Sequence, residues 1–127
     1  MKVLLDTHTF IWWDSDPSKL SSQVLALLQD PETTVLFSVV SVWEMLIKQQ
    51  LGKLTLRMSL LALIAQQQAN GIQILPITLD HVLAVESLPS PHKDLFDRLL
   101  VAQSNVEGAV LVSVDSVFAQ YPVNVTW

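Results

Sequence analysis

Cysteine is absent from this chain. Disulfide bridges and thiolate zinc sites are thereby excluded, and a reducing cytoplasm suits the composition. Histidine is scarce, with 3 in 127 residues, so a nitrogen-rich zinc centre has few ligands to draw on. Charge is thin as well: 15% of residues are charged, 7 basic against 12 acidic, for a net charge of -5. That balance disfavours a sequence-independent nucleic-acid binder working through a basic face. Long apolar runs are also missing. Stretches such as 59–65 fall far short of the ~20 residues needed to span a bilayer, and the opening Met1–Asp6 is too short and acidic for a signal peptide. A soluble, cytoplasmic protein with no membrane partner is expected. Hydrophobic residues, by contrast, make up half the chain. This argues against disorder and for extensive burial, or for an apolar surface covered by a partner. The length fits one domain, residues 1–127.

Apolar strand-like runs alternate with helical spacing throughout. Lys2–Leu5 reads as a buried strand, and Thr7–Trp13 as the start of a helix. After the turn Asp14–Pro17, a second helix starts at Asp16 or Ser18, carries Leu20, Val24, Leu27 and Leu28, and ends at Asp30-Pro31. Thr33–Val40 reads as the second strand. Ser41-Val42-Trp43-Glu44 fits a capping box at the start of a helix reaching about Gln50, with Gly52 as its stop. A helix over Ser59–Ala69, a strand over Ile72–Ile77 and a short helix over Thr78–Ser87 follow. Pro89-Ser90-Pro91 reads as a rigid loop. Asp94–Val106 is helical, Ala109–Val114 is a fourth strand, and Val123–Trp127 a fifth. Continuous apolar strands between helices predict an α/β fold with a parallel sheet of four to five strands, covered on both faces.

In such a sheet, sites form beyond the carboxyl ends of the strands. Four acids fall there: Asp6 and Asp115 directly after strands, Glu44 and Asp97 in the first turns of following helices. Hard divalent cations favour oxygen ligands, so this inventory suits Mg²⁺ or Mn²⁺ better than zinc. Each acid also has a plainer reading. Asp6 and Asp115 can cap the segments after them. Glu44 fits a capping box and a ligand role equally well. Asp94 and Asp97 lie one turn apart in a first turn favoured for acids by the helix dipole. Four independent caps, however, need not converge on one edge. Two cations there would offset the local negative charge and reconcile an acidic chain with a nucleic-acid substrate. Ser113 shares a strand face with Asp115, and Thr7 follows Asp6, so either hydroxyl can orient a ligand or a water. Arg98 and Lys93 are candidates to steady a phosphate. His8, His81 and His92 are scattered and are not read as metal ligands, with His92 read as a loop contact or a group behind the ligands. Trp12 and Trp13 are candidates for base stacking but are read more simply as core.

The motifs together resemble the PIN domain family. They are Leu4-Leu5-Asp6-Thr7-His8, Ser41-Val42-Trp43-Glu44, His92-Lys93-Asp94-Leu95-Phe96-Asp97-Arg98-Leu99-Leu100-Val101-Ala102-Gln103, and Leu111-Val112-Ser113-Val114-Asp115. The likeness covers essentially the whole chain and is greatest to VapC toxins of bacterial type II toxin–antitoxin pairs. It implies a three-layer α/β/α sandwich with strand order 3-2-1-4-5. It implies a Mg²⁺- or Mn²⁺-dependent endoribonuclease whose metal-binding acids are Asp6, Glu44, Asp97 and Asp115, with Asp94 accessory. It also implies a homodimer and an antitoxin partner, for which Phe10, Trp13, Leu51 and Leu54 are candidate contacts, though each is read more simply as core. Leu95, where similar sequences often carry proline, and Val114, where they often carry a basic or small polar residue, depart from the pattern. A haloacid-dehalogenase-like phosphatase is the competing enzyme class, but it needs a second Asp two residues after the first, where this chain has His8. A non-catalytic PIN-like interaction module is the competing non-enzymatic reading.

Overall fold

A computed structural model describes residues 1–89 and 94–127. His92, Lys93 and the Ser90-Pro91 part of the expected loop lie outside the described residues. The strands are β1 (Lys2–Leu5), β2 (Thr34–Ser38), β3 (Gln73–Leu75), β4 (Val110–Val112) and β5 (Val125–Thr126). The helices are α1 (Thr7–Ser15), α2 (Ser22–Gln29), α3 (Val39–Gln50), α4 (Leu60–Ala69), α5 (Leu79–Ala84) and α6 (Leu95–Glu107), with 3₁₀ turns at Pro17–Lys19, Val85–Ser87 and Ser116–Gln120. All strand pairings are parallel, in the order β3-β2-β1-β4-β5. The expected α/β/α sandwich and its strand order are therefore observed.

Side-chain alternation along the strands builds two cores. Leu4, Leu36, Leu75 and Leu111 face one layer, where they meet Leu100 and Val101 of α6 and Phe118. Val3, Leu5, Val35, Phe37 and Val112 face the other, against Phe10 of α1, Val24 of α2, Met45 of α3 and Leu63 of α4. Phe10 stacks on Phe37 with ring centroids 3.8 Å apart and is fully buried. It is thus core, the simpler of its two sequence readings, and is not available as a partner contact. Trp13 and Leu54 are partly buried on the same cluster, whereas Leu51 is exposed.

Several boundaries differ from the sequence reading. The second helix starts later, capped by Ser21. β2 ends at Ser38, whose Oγ accepts from the Val40 amide at 3.0 Å and caps α3. Val39 and Val40, expected in the strand, are helical. Away from the sheet edge, Asp14 accepts a two-pronged guanidinium contact from Arg57, at 3.1 and 2.6 Å, and an amide from Gln67. That hydrogen bond holds the Arg57 guanidinium protonated above its ordinary value, and it ties the segment before α4 to α1. Among the described residues no helix is long and apolar enough to cross a membrane.

Candidate active site

The strand order reverses beside β1. The chain after β1 runs onto the Phe10 face, and the chain after β4 runs onto the Phe118 face. A crevice therefore opens between their carboxyl ends, as expected at a switch point in a doubly wound sheet. Asp6 sits at its base. Its amide donates to the Val112 carbonyl at 3.1 Å, locking the end of β1 to the end of β4.

One pocket at this edge is lined by Asp6, Glu44, Asp94, Asp97 and Asp115, together with Thr7, His8, Lys48, Leu100 and Phe118. The elements that deliver the acids are spread over the whole chain. Asp6 is buried and caps α1: its Oδ1 accepts from the Thr9 amide at 2.8 Å and the Thr9 hydroxyl at 2.6 Å. Its Oδ2 accepts from the Ser113 hydroxyl at 2.5 Å. The capping reading of Asp6 is thus correct for one oxygen, while the other faces a hydroxyl from β4's extension.

Glu44 lies in the second turn of α3 and caps nothing, because Ser38, three residues before Ser41, has taken the cap. The apparent capping box is not formed. Glu44 instead accepts from the Thr7 hydroxyl through Oε1 and pairs with Lys48 through Oε2 at 3.5 Å. A glutamate with no capping duty, held by a hydroxyl from another element and turned into the pocket, is oriented for the site.

The capping duty at α6 falls to Asp94, whose Oδ1 accepts from the amides of Phe96 and Asp97 at 2.9 and 3.2 Å. Asp97 follows in the first turn. Leu95 occupies the first helical position, where proline would need no amide partner either, so its departure from the pattern leaves the helix start intact. Asp115 caps the last 3₁₀ turn, accepting from the Val117 amide at 3.0 Å. Ser113 serves two acids: it donates to Asp6 and accepts from the Asp115 amide at 3.0 Å. Val114 is exposed between them.

Arg98 is turned elsewhere, its guanidinium donating to the carbonyls of Val85 and Pro89. It is not among the residues that line the pocket. Lys48 and His8 do line it, and the sequence reading gave neither a role there. The spacing of Lys48, four residues after Glu44 on a helix, was the available signal. His8 is exposed and tilts against Trp12, with centroids 5.9 Å apart. His81 lies apart from the site, fully buried, accepting from the Thr78 amide at 3.0 Å and meeting Glu107 at 2.8 Å.

The donor set is almost purely carboxylate oxygen, which fits a hard divalent cation. Among the described residues, no three acid or histidine groups are drawn tightly enough to form a ready-made cage. A Mg²⁺ ion that keeps several of its waters does not need one.

The family model of the PIN domain matches residues 3–124. The chain belongs to the PIN domain family. No curated protein matches it. Among solved structures, this PIN domain is similar to a chain of the VapBC2 complex from Rickettsia felis bound to a promoter DNA fragment. The TM-score there is 0.75 at 14% identity, covering 99% of this chain and 98% of the other. It is similar to a chain of VapBC-1 from nontypeable Haemophilus influenzae, with TM-score 0.68, 15% identity and coverage of 99% and 97%. A chain of a toxin–antitoxin complex from Klebsiella pneumoniae gives 0.64 at 18% identity, with coverage of 98% and 96%. At these identities the likeness establishes the shared PIN fold over the full chain.

Proposed function

We propose that this chain, a single PIN unit over residues 1–127, is a Mg²⁺- or Mn²⁺-dependent endoribonuclease and the VapC-like toxin of a type II toxin–antitoxin pair. The observation that carries the reading is the convergence of Asp6, Glu44, Asp94, Asp97 and Asp115 on one pocket of a PIN domain. The toxin assignment draws on the solved VapBC complexes that share the fold. Their partner proteins point to a cognate antitoxin here, and the family to a homodimer.

In the proposed site Asp6, Glu44, Asp97 and Asp115 hold the cation. Bound there, it supplies Lewis-acid chemistry for a phosphodiester and for an attacking water. The protein's own part is orientation. Ser113 fixes Asp6 from the β4 side, Thr7 fixes Glu44 from the β1 side, and Asp94 sets the axis of α6 so that Asp97 faces the pocket. Cleavage leaves 5′-phosphate and 3′-hydroxyl ends.

The test is cleavage of cellular RNA with and without Mn²⁺, wild type beside Asp6→Asn, with cut sites and end groups mapped. Wild type cuts only with the metal, and Asp6→Asn, which keeps the size and loses the charge, is inactive. Full activity of Asp6→Asn would sink the assignment.

A further inference from the structure

Among the described residues that line the acid pocket, Lys48 is the sole lysine or arginine. Its partner is Glu44, one helical turn earlier, at 3.5 Å from Oε2. Helical side chains lean toward the helix N-terminus, and α3 begins at the carboxyl edge of β2. Lys48 therefore extends back toward the acids rather than away from them. Its side chain is 34% exposed and that of Glu44 17%, so the ammonium stands at the mouth of the pocket and the carboxylate inside it. Arg98, the other described base near the site in sequence, is engaged by backbone carbonyls.

We propose that Lys48 is the phosphate-positioning residue of the site, exchanged from Glu44 to the RNA backbone when a divalent cation takes the glutamate. This rests on the nuclease reading above. The physical argument has two halves. Five carboxylates repel a phosphodiester, so entry of RNA needs positive charge beyond the cation itself. A divalent cation and an ammonium also compete for the same glutamate oxygens. Once the cation holds Glu44, the ammonium keeps three donors and has lost its ion-pair partner among the described residues. An adjacent phosphate is the anion that restores one. Without metal, the Lys48–Glu44 pair leaves the glutamate partly neutralised and limits its repulsion with the neighbouring aspartates.

A solvent-facing pair four residues apart on a helix would have no bearing on metal or RNA, and the two cases separate cleanly. The variants are Lys48→Gln and Lys48→Arg, measured as whole protein. Mn²⁺ binding is followed by calorimetry, and kcat and KM are measured at several salt concentrations on an RNA fragment carrying the mapped cut site. In Lys48→Gln, loss of the competing charge raises Mn²⁺ affinity about fivefold, while KM rises about tenfold with kcat little changed. The slope of log(kcat/KM) against log salt becomes shallower by roughly 0.7, one backbone contact on a single strand. Lys48→Arg keeps the wild-type slope and KM. Unchanged Mn²⁺ affinity and an unchanged salt slope in Lys48→Gln would overturn the proposal, as would a Lys48→Arg variant as impaired as Lys48→Gln. If wild type neither binds Mn²⁺ nor cuts RNA, the nuclease reading fails and this inference with it. If wild type does both and Lys48→Gln matches it, the inference alone fails.

Discussion

Hydroxyls help set how Asp6, Glu44 and Asp115 stand in the pocket. Ser113 donates to Asp6 and accepts from the Asp115 amide, so one side chain couples acids separated by nearly the whole chain. Thr7, the first residue of α1, donates to Glu44 of α3. A carboxylate that is already oriented loses less freedom on binding an ion, and groups behind metal ligands commonly carry ~10–100-fold in metal affinity or activity. Ser113→Ala is accordingly expected to weaken Mn²⁺ binding by about tenfold or more. Its far-UV circular dichroism should be retained, since the lost hydroxyl leaves the strands unaltered. Calorimetric titration against wild type measures this, and an unchanged affinity would show that Ser113 is only packing. The sequence placed Ser113 on the same strand face as Asp115 by period-two alternation. It could not show that Asp6 would receive the hydrogen, because that contact needs β1 and β4 to be neighbours.

Helix caps are where the plain and the functional readings of the acids meet. Asp6, Asp94 and Asp115 each bond backbone amides beyond them, so the capping interpretation was right for Asp6 and Asp115, Asp94 is a cap the sequence reading did not single out, and capping removed none of the three from the pocket. A helix start at the carboxyl edge of a parallel sheet sets its capping acid at the crevice, and one residue serves both ends. Asp94 allows the two duties to be separated. Asp94→Ala is expected to lose about 1 kcal/mol of stability through the missing cap, whereas Asp94→Asn, an equally good cap, is expected to stay near wild type. Denaturant unfolding checks this pair. If both lose cleavage while only the alanine variant loses stability, the charge of Asp94 acts in the site. Glu44 shows the opposite case. Its S-x-x-E spacing matched a cap that the chain does not form. Pairing of β2 with β3 runs on to Ser38 opposite Leu75, the backbone turns there, and Ser38 caps first. Two β-branched residues, Val39 and Val40, then enter the helix because Val40 is needed in the core beside Leu4 and Leu36. Tertiary burial outweighed a local preference of a few tenths of a kcal/mol.

For the whole molecule, the proposed metal site makes a prediction about stability. Five carboxylates share one pocket, and no three are drawn into a closed cage among the described residues. An ion selective for the folded state must therefore stabilise it, by about 2.7 kcal/mol at a free concentration of 100 times Kd. Thermal unfolding of wild type is expected to move up by several degrees with saturating Mn²⁺, and that of Asp6→Asn to move much less. Absence of any shift in wild type would count against metal binding and favour a non-catalytic module. The fold itself was legible in the sequence because its signal is local: continuous apolar strands of the right length, alternating with helical spacing, admit few arrangements other than a covered parallel sheet. The oxygen-rich chemistry was legible too, since it follows from which residue types end the strands. Strand order entered through a family likeness, as no local pattern encodes it. Which base faces the acids was decided only in three dimensions. Arg98 and Lys48 are each a few residues from an acid, but helix phase and the path of the 85–89 segment turn one toward backbone carbonyls and leave the other at the pocket mouth. Sequence determines the chemical inventory, because that is carried residue by residue. The direction in which each group points depends on contacts between segments far apart in the chain, and only the packed structure supplies those.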